Sequence, residues 1–293
     1  MLTLLAAGQT SKPNIIIILT DDAGYADFSF QSHKLIPTPN IDALQSNGIT
    51  FSQAYVTAPN CSPSRAGLLT GRYQQRYGHE YNLYNSKPLN GVSSDSLGLP
   101  LSQKIMPQYL KALGYTTGAI GKCHLGSKAY YHPMQRGFDY FFGTLEGSSF
   151  YKTGQAKEII RGYQQVPADS LPYLTDAFGD EAVKFIAGQQ GPFFLYLAFN
   201  SPHVPLQAKK EYLDSYRQQF HTIERATNAA MTRSIDDNVG KLIRELKERG
   251  IYENTLIVFS NDNGGPVALN GGNASNNSPL RGAKVMLYEG GIR

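Results

Sequence analysis

The order of segments along the chain predicts an α/β fold of three layers, with a largely parallel sheet held between helices. Two observations carry this reading. Four short, near-continuous apolar segments alternate with helical patterns, which is how strands buried on both faces read. Each apolar segment also runs directly into polar residues of chemical interest, and in such sheets ligands collect beyond the carboxyl ends of the strands.

Asn14 to Thr20 is the first strand and ends in Asp21-Asp22. Thr38-Pro39-Asn40-Ile41-Asp42 opens a helix that stops at Gly48. A shorter helix follows, with Pro63 suited to its first helical position and Gly71 to its stop, so Cys61 belongs at or beside the N-cap. Unpaired backbone N–H groups and the positive end of the helix dipole favour an anion there. Arg65, one turn on, adds a guanidinium fork suited to an oxyanion. A buried small thiol or a half-disulfide is the ordinary reading of an isolated cysteine.

Ser102 to Leu113 is the next helix, stopped by Gly114, and Tyr115 to Ile120 is a strand ending in Gly121-Lys122-Cys123-His124. Lys122 and His124, two residues apart, share a face if the strand continues through them, with Cys123 on the other. Thr175 to Gln190 reads as helix, and Pro192 to Asn200 as a strand ending in Ser201-Pro202-His203. The longest periodic pattern runs from about Thr222 to Arg249, and Thr255 to Ser260 is the last strand, ending in Asn261-Asp262-Asn263-Gly264-Gly265. Glu80 to Leu101 and Gly143 to Leu171 read as loops shaping a pocket rim, and Gly264 to Pro279 as a mobile loop. Asn273-Ala-Ser275 and Asn276-Asn-Ser278 match glycosylation sequons, to which no function is assigned.

With 293 residues, 41% of them apolar, the chain has enough material for one large core. Its net charge of +4 comes without a dense basic cluster, which argues against nucleic acid as a partner. No apolar run approaches the ~18 to 20 residues of a membrane span. Residues 1–12 resemble the tail of a secretory signal without its basic n-region, so a removed or disordered tail and export to the periplasm or outside are expected. Two cysteines, Cys61 and Cys123, make neither a disulfide scaffold nor a zinc site.

The strand ends supply chemistry. Asp21, Asp22, Asp262 and Asn263 offer four oxygen-bearing side chains. Hard oxygen donors suit Ca²⁺, with Mg²⁺ the alternative, and an oxygen from a modified residue 61 would make a fifth. Taken one by one, these runs are ordinary turns; two acidic pairs at the ends of two buried strands shift the balance toward a cation. His124 and His203 fall where a general base and a general acid are needed. Tyr77, His79, Glu80, Tyr81 and Tyr84 follow the Cys61 helix closely; aromatic and polar side chains of this kind suit a sugar subsite, with a solvated loop the equal alternative. Lys284 alone reads as a solvated lysine.

The pattern CxPSRxxLLTGR resembles the signature of the type I sulfatases, whose cysteine is oxidised after synthesis to formylglycine. LTDDAGYAD, TPNIDALQSNGITFSQAY, CSPSRAGLLTGRY, LGYTTGAIGKCHLG, HPMQRGFDYFFG, FNSPHVP, FSNDNGG and RGAKVMLYEGGIR resemble successive blocks of that family, in order. The resemblance implies an alkaline-phosphatase-like fold over residues 13–293, acting as the family's N-terminal catalytic domain. It implies a divalent cation on Asp21, Asp22, Asp262 and Asn263, with Cys61 as formylglycine precursor and cation neighbour. Arg65, Lys122, His124, His203 and Lys284 then surround the sulfate. A hydrated aldehyde would offer one hydroxyl to attack sulfur, while His203 with Lys284 helps the alcohol leave, and a second to expel sulfate as His124 takes its proton. The implied substrates are a sulfated carbohydrate or an aryl sulfate, and the implied partner is a formylglycine-generating maturation enzyme. A phosphoester or phosphonate hydrolase of the same superfamily and an inactive, truncated binder are the alternatives. Two departures stand out. Cys123 takes the place of the family's usual tryptophan, as a small buried residue pointing away from the site or a thiol that traps Cys61. The family's small C-terminal subdomain is expected to be absent from a chain ending at Arg293.

Overall fold

The computed structural model describes residues 12–31, 35–83, 97–266 and 272–293. The signal-like tail up to residue 11, Tyr84 and most of the expected 80–101 loop lie outside the described residues. Seven strands form one sheet there: β1 (Asn14–Thr20), β2 (Thr116–Lys122), β3 (Tyr140–Thr144), β4 (Ile160–Arg161), β5 (Gln164–Gln165), β6 (Phe193–Ala198) and β7 (Thr255–Asn261). Their order is β5-β4-β3-β2-β6-β1-β7. The five strands from β3 to β7 along this order run parallel, and the two-residue strands β4 and β5 are antiparallel.

The helices are α1 (Pro39–Ser46), α2 (Cys61–Thr70), α3 (Met106–Ala112), α4 (Leu174–Ala187), α5 (Lys210–Tyr216), α6 (Ile223–Glu248) and α7 (Glu289–Ile292). Side chains alternate across each strand, so the sheet has two cores. Ile16, Ile18, Leu195 and Leu197 pack with α4 and α6 on one face. Ile17, Leu19, Phe194 and Tyr196 pack with Ala66 and Leu69 of α2 on the other. This is the three-layer α/β/α arrangement the sequence predicts.

Four differences have physical causes. α3 begins four residues later than predicted, because Pro107 sits in its first turn and the Gln108 side chain accepts from the Ile105 N–H, capping the start. β3, β4 and β5 lie in and beside the segment read as a loop; β4 and β5 are ordered by pairing with β3 rather than by a pattern of their own. The edge strand β7 is covered on one face only, leaving Leu256 54% and Val258 39% exposed. The loop read as mobile at 264–279 is pinned wherever it is described, through buried Asn273 and Asn277.

β2, β6, β1 and β7 are consecutive in the sheet, so the polar residues at their carboxyl ends are collected across three strand spacings, roughly 15 Å. No helix among the described residues is long and apolar enough to cross a membrane.

Candidate active site

Cys61 is the first residue of α2, with extended Asn60 before it and left-handed Gly71 closing the helix. The helix starts two residues earlier than Pro63 suggested, and the proline sits in the first turn, where its missing N–H costs nothing. The Cys61 thiol is buried. Its Sγ lies 3.4 Å from Asp21 Oδ1, 3.8 Å from Asp22 Oδ1 and 3.4 Å from the Lys284 ammonium. Burial, then the Asp262 charge and those of Asp21 and Asp22, push this thiol well above the ordinary cysteine range despite Lys122.

The carboxylates are held from several sides. Lys122 donates to Asp21 Oδ2 at 2.6 Å. Burial raises the Asp21 carboxyl, but Lys122, His203 and Arg65 outweigh it and hold the group below its ordinary range. Asp22 has left-handed backbone, φ 63°, and accepts at Oδ1 from the Asn263 amide (2.7 Å) and at Oδ2 from Lys284 (2.7 Å). Its own N–H donates to Asp262 Oδ1 at 3.2 Å. Arg65 is wholly buried and directs Nε and Nη2 at Asp262 Oδ2, 3.0 and 2.8 Å away, with Nη1 on the Lys122 carbonyl. Burial and the nearby Asp21 charge raise the Asp262 carboxyl.

The side chains fit a divalent cation. Asn263 Oδ1 is buried without a hydrogen-bond partner among the described residues, and a cation would satisfy such an oxygen. Ligand atoms of Asp21, Asp22, Cys61 and His203 lie within 4.8 Å of one another. Asp262 and Asn263, read from the sequence together with Asp21 and Asp22, adjoin this group through their hydrogen bonds with Asp22.

The two histidines differ. His124, also left-handed at φ 55°, donates from Nε2 to the Leu83 carbonyl at 3.1 Å, and its buried Nδ1 has no partner among the described residues. Burial and then Lys122 hold it well below the ordinary histidine range. It is a neutral imidazole with a free lone pair, the form a base requires. His203 donates from Nδ1 to the Val204 carbonyl at 2.6 Å, which turns Nε2 toward Asp22 Oδ2, 3.5 Å away. Lys284 is fixed through its backbone: its N–H donates to the Gly265 carbonyl, and the next N–H to Pro59, beside the start of α2. Burial works against the charge on its ammonium, but Cys61, Asp22 and Asp21 outweigh it and raise the group above its ordinary range.

The ten residues read as catalytic or cation-binding lie together here. The subsite residues do not. His79 is buried beneath the helix, its Nε2 2.8 Å from Ser62 Oγ, while that hydroxyl donates to the His124 carbonyl at 2.7 Å. Glu80 is exposed. The cleft above Cys61, about 680 Å³, is walled instead by Asn82, Glu146, Ser149, Phe150 and Glu158, with His124, His203 and Lys284 at its base. Nothing in residues 146–158 announced this role beyond their place in a rim loop. Asn273 and Ser275, matched as a sequon, point inward and donate to the Asp22 carbonyl at 2.8 and 2.9 Å; Asn273 is wholly buried. Cys123 faces the second core, away from the cleft, and both cysteines are unbonded.

The family model Sulfatase matches residues 13–293. Mouse (Mus musculus) N-acetylgalactosamine-6-sulfatase is 35% identical over all of this chain and 58% of its own length. Mouse arylsulfatase J is 36% identical over 97% of this chain and 47% of its own. The chain thus spans about half to three-fifths of these relatives. Among solved structures, Ps i-CgsB in complex with k-i-k-neocarrahexaose superposes with a TM-score of 0.88 at 39% identity, over 97% of this chain and 64% of that one. The match of the family model across the domain, together with the constellation at the strand ends, establishes that this chain belongs to the sulfatase family.

Proposed function

We propose that the protein hydrolyses a sulfate ester of a carbohydrate and releases inorganic sulfate. The observation that carries this reading is the position of Cys61, buried at a helix start and set among Asp21, Asp22 and Lys284. A thiol catalyst would be kept ionised, whereas this position suits a residue converted to formylglycine by a maturation enzyme. Such a residue would supply a hydrated carbonyl as oxygen nucleophile.

A divalent cation, Ca²⁺ by the hardness and number of the donors, would be held by Asp21, Asp22, Asp262 and Asn263, and would polarise a sulfate oxygen. The chain's own groups do the rest. Lys284 and the helix N-terminus bind and orient the anion, while Lys122 and Arg65 hold Asp21 and Asp262 in place. His203, with Nδ1 fixed on the Val204 carbonyl, presents Nε2 to the cleft and gives its proton to the departing alcohol oxygen. His124, neutral with Nδ1 free, accepts a proton from the group on residue 61.

Carbohydrate is supported by the cleft wall and by the relatives. Glu146, Glu158 and Ser149 accept or exchange hydrogen bonds with hydroxyls, and Phe150 offers a half-exposed ring to an apolar sugar face. One relative is named for a sulfated amino sugar and one solved structure holds a neocarrahexaose. Export, as the N-terminal segment suggests, belongs to the same reading. The test is sulfate release by matured, Ca²⁺-loaded protein from defined sulfated oligosaccharides, beside matched aryl sulfate and aryl phosphate esters. Faster turnover of sulfates is expected; preference for phosphate, or no release from any sulfate, overturns the reading.

A further inference from the structure

Segment 200–207 carries His203 but contains no helix or strand, so something other than secondary structure must hold it. Tyr151, from the connection after β3, is completely buried against it. Its hydroxyl meets the carbonyls of both Asn200 and His203, the latter at 2.8 Å. Its N–H donates to the Gln207 side chain at 2.9 Å, and its ring stacks on Tyr173 with centroids 5.9 Å apart. The Tyr173 hydroxyl in turn donates to the Gln207 carbonyl at 2.9 Å. Burial pushes the Tyr151 phenol well above its ordinary range, so it remains a donor.

The His203 ring is itself anchored on local backbone, through Nδ1 to the Val204 carbonyl. The place of Nε2 therefore follows the place of the 203–204 backbone, and that is where the phenol acts. We propose that Tyr151 is a positioning residue for leaving-group protonation, holding the His203 backbone so that Nε2 meets the ester oxygen. The proposal rests on the acid role of His203 given above. In that step an oxygen on the converted residue 61 would bond to sulfur as the sulfur–oxygen bond to the alcohol breaks, and the departing oxygen takes the Nε2 proton.

The test compares two substrates of the matured, cation-loaded protein: a nitrophenyl sulfate, whose leaving group departs without a proton, and an unactivated phenyl sulfate, which needs one. Tyr151→Phe is expected to lower kcat/KM for the unactivated ester about tenfold, and for the activated ester by less than about threefold, as fits loss of part of a general-acid contribution. His203→Gln is expected to give the same signature more strongly, and adding Tyr151→Phe to it to cost nothing further. Equal loss on both esters in Tyr151→Phe, or full additivity with His203→Gln, overturns the positioning role. Equal loss on both esters in His203→Gln overturns the acid reading itself, a distinguishable result. If Tyr151→Phe does not fold, Gln207→Leu, which releases the Tyr151 N–H, is expected to show a smaller loss confined to the unactivated ester, and equal loss there overturns the proposal.

Discussion

His79 illustrates how a residue chosen for one role serves another. Its place directly after the signature helix made it a candidate for sugar contact, yet it lies under that helix against Ser62, and burial lowers its pKa to about 4. The folded chain keeps this ring neutral, while the unfolded chain protonates near pH 6.5, so stability is lost as pH falls from about 6.5 toward 4, by up to ~3 kcal/mol from this residue. His124, lowered in the same direction, adds to the slope. Urea unfolding between pH 7 and 5 is expected to show falling stability, and His79→Gln to flatten that fall; an unchanged slope in the variant would count against the assignment. At this scale the sequence revealed types better than neighbours. Asp21, Asp22, Asp262, Asn263 and Cys61 were legible because their motifs end strands or start a helix. Ser62, Tyr151 and Asn273 were not, because hydroxyls and amides that bond to distant carbonyls leave no local pattern.

Among the elements, β2 is tightly constrained at its end. Gly121 has φ 106°, and a Cβ there would stand 1.9 Å from the Ala198 carbonyl oxygen of the neighbouring β6. Only glycine lets the two strand ends that carry Lys122 and His203 approach so closely. Gly121→Ala is expected to destabilise the fold by at least about 2 kcal/mol, read as a lower urea midpoint; a wild-type midpoint would contradict the close approach. The long strands and helices were readable from apolar runs and their Gly or Thr boundaries, as at Thr222, which caps α6 by accepting from the Arg225 N–H. The short elements were not. β4 and β5 have two residues each and exist through their partners, and α5 spans only Lys210–Tyr216.

For the whole molecule, strand order is the feature that makes the site. With β2, β6, β1 and β7 side by side, three carboxylates, an amide, two lysines, an arginine and two histidines from distant parts of the chain gather around Cys61 at and beneath one cleft. Such a cluster of buried carboxylates is relieved by a divalent cation, so chelation is expected to lower the melting temperature and Ca²⁺ to restore it. An unchanged melting temperature would contradict the cation site, whatever the activity. The parallel order was implied by the alternation of strands and helices, but the exposed face of β7 was not, since Leu256 and Val258 read like any core residues. The central claim is that residue 61 acts as formylglycine, placed at a helix start among Asp21, Asp22 and Lys284. Its most direct test is the mass of the peptide bearing residue 61, from protein made in a host with the maturation enzyme and shown to release sulfate. A loss of about 18 Da relative to cysteine is expected for thiol converted to aldehyde; sulfate release by protein whose Cys61 is unmodified would contradict the account.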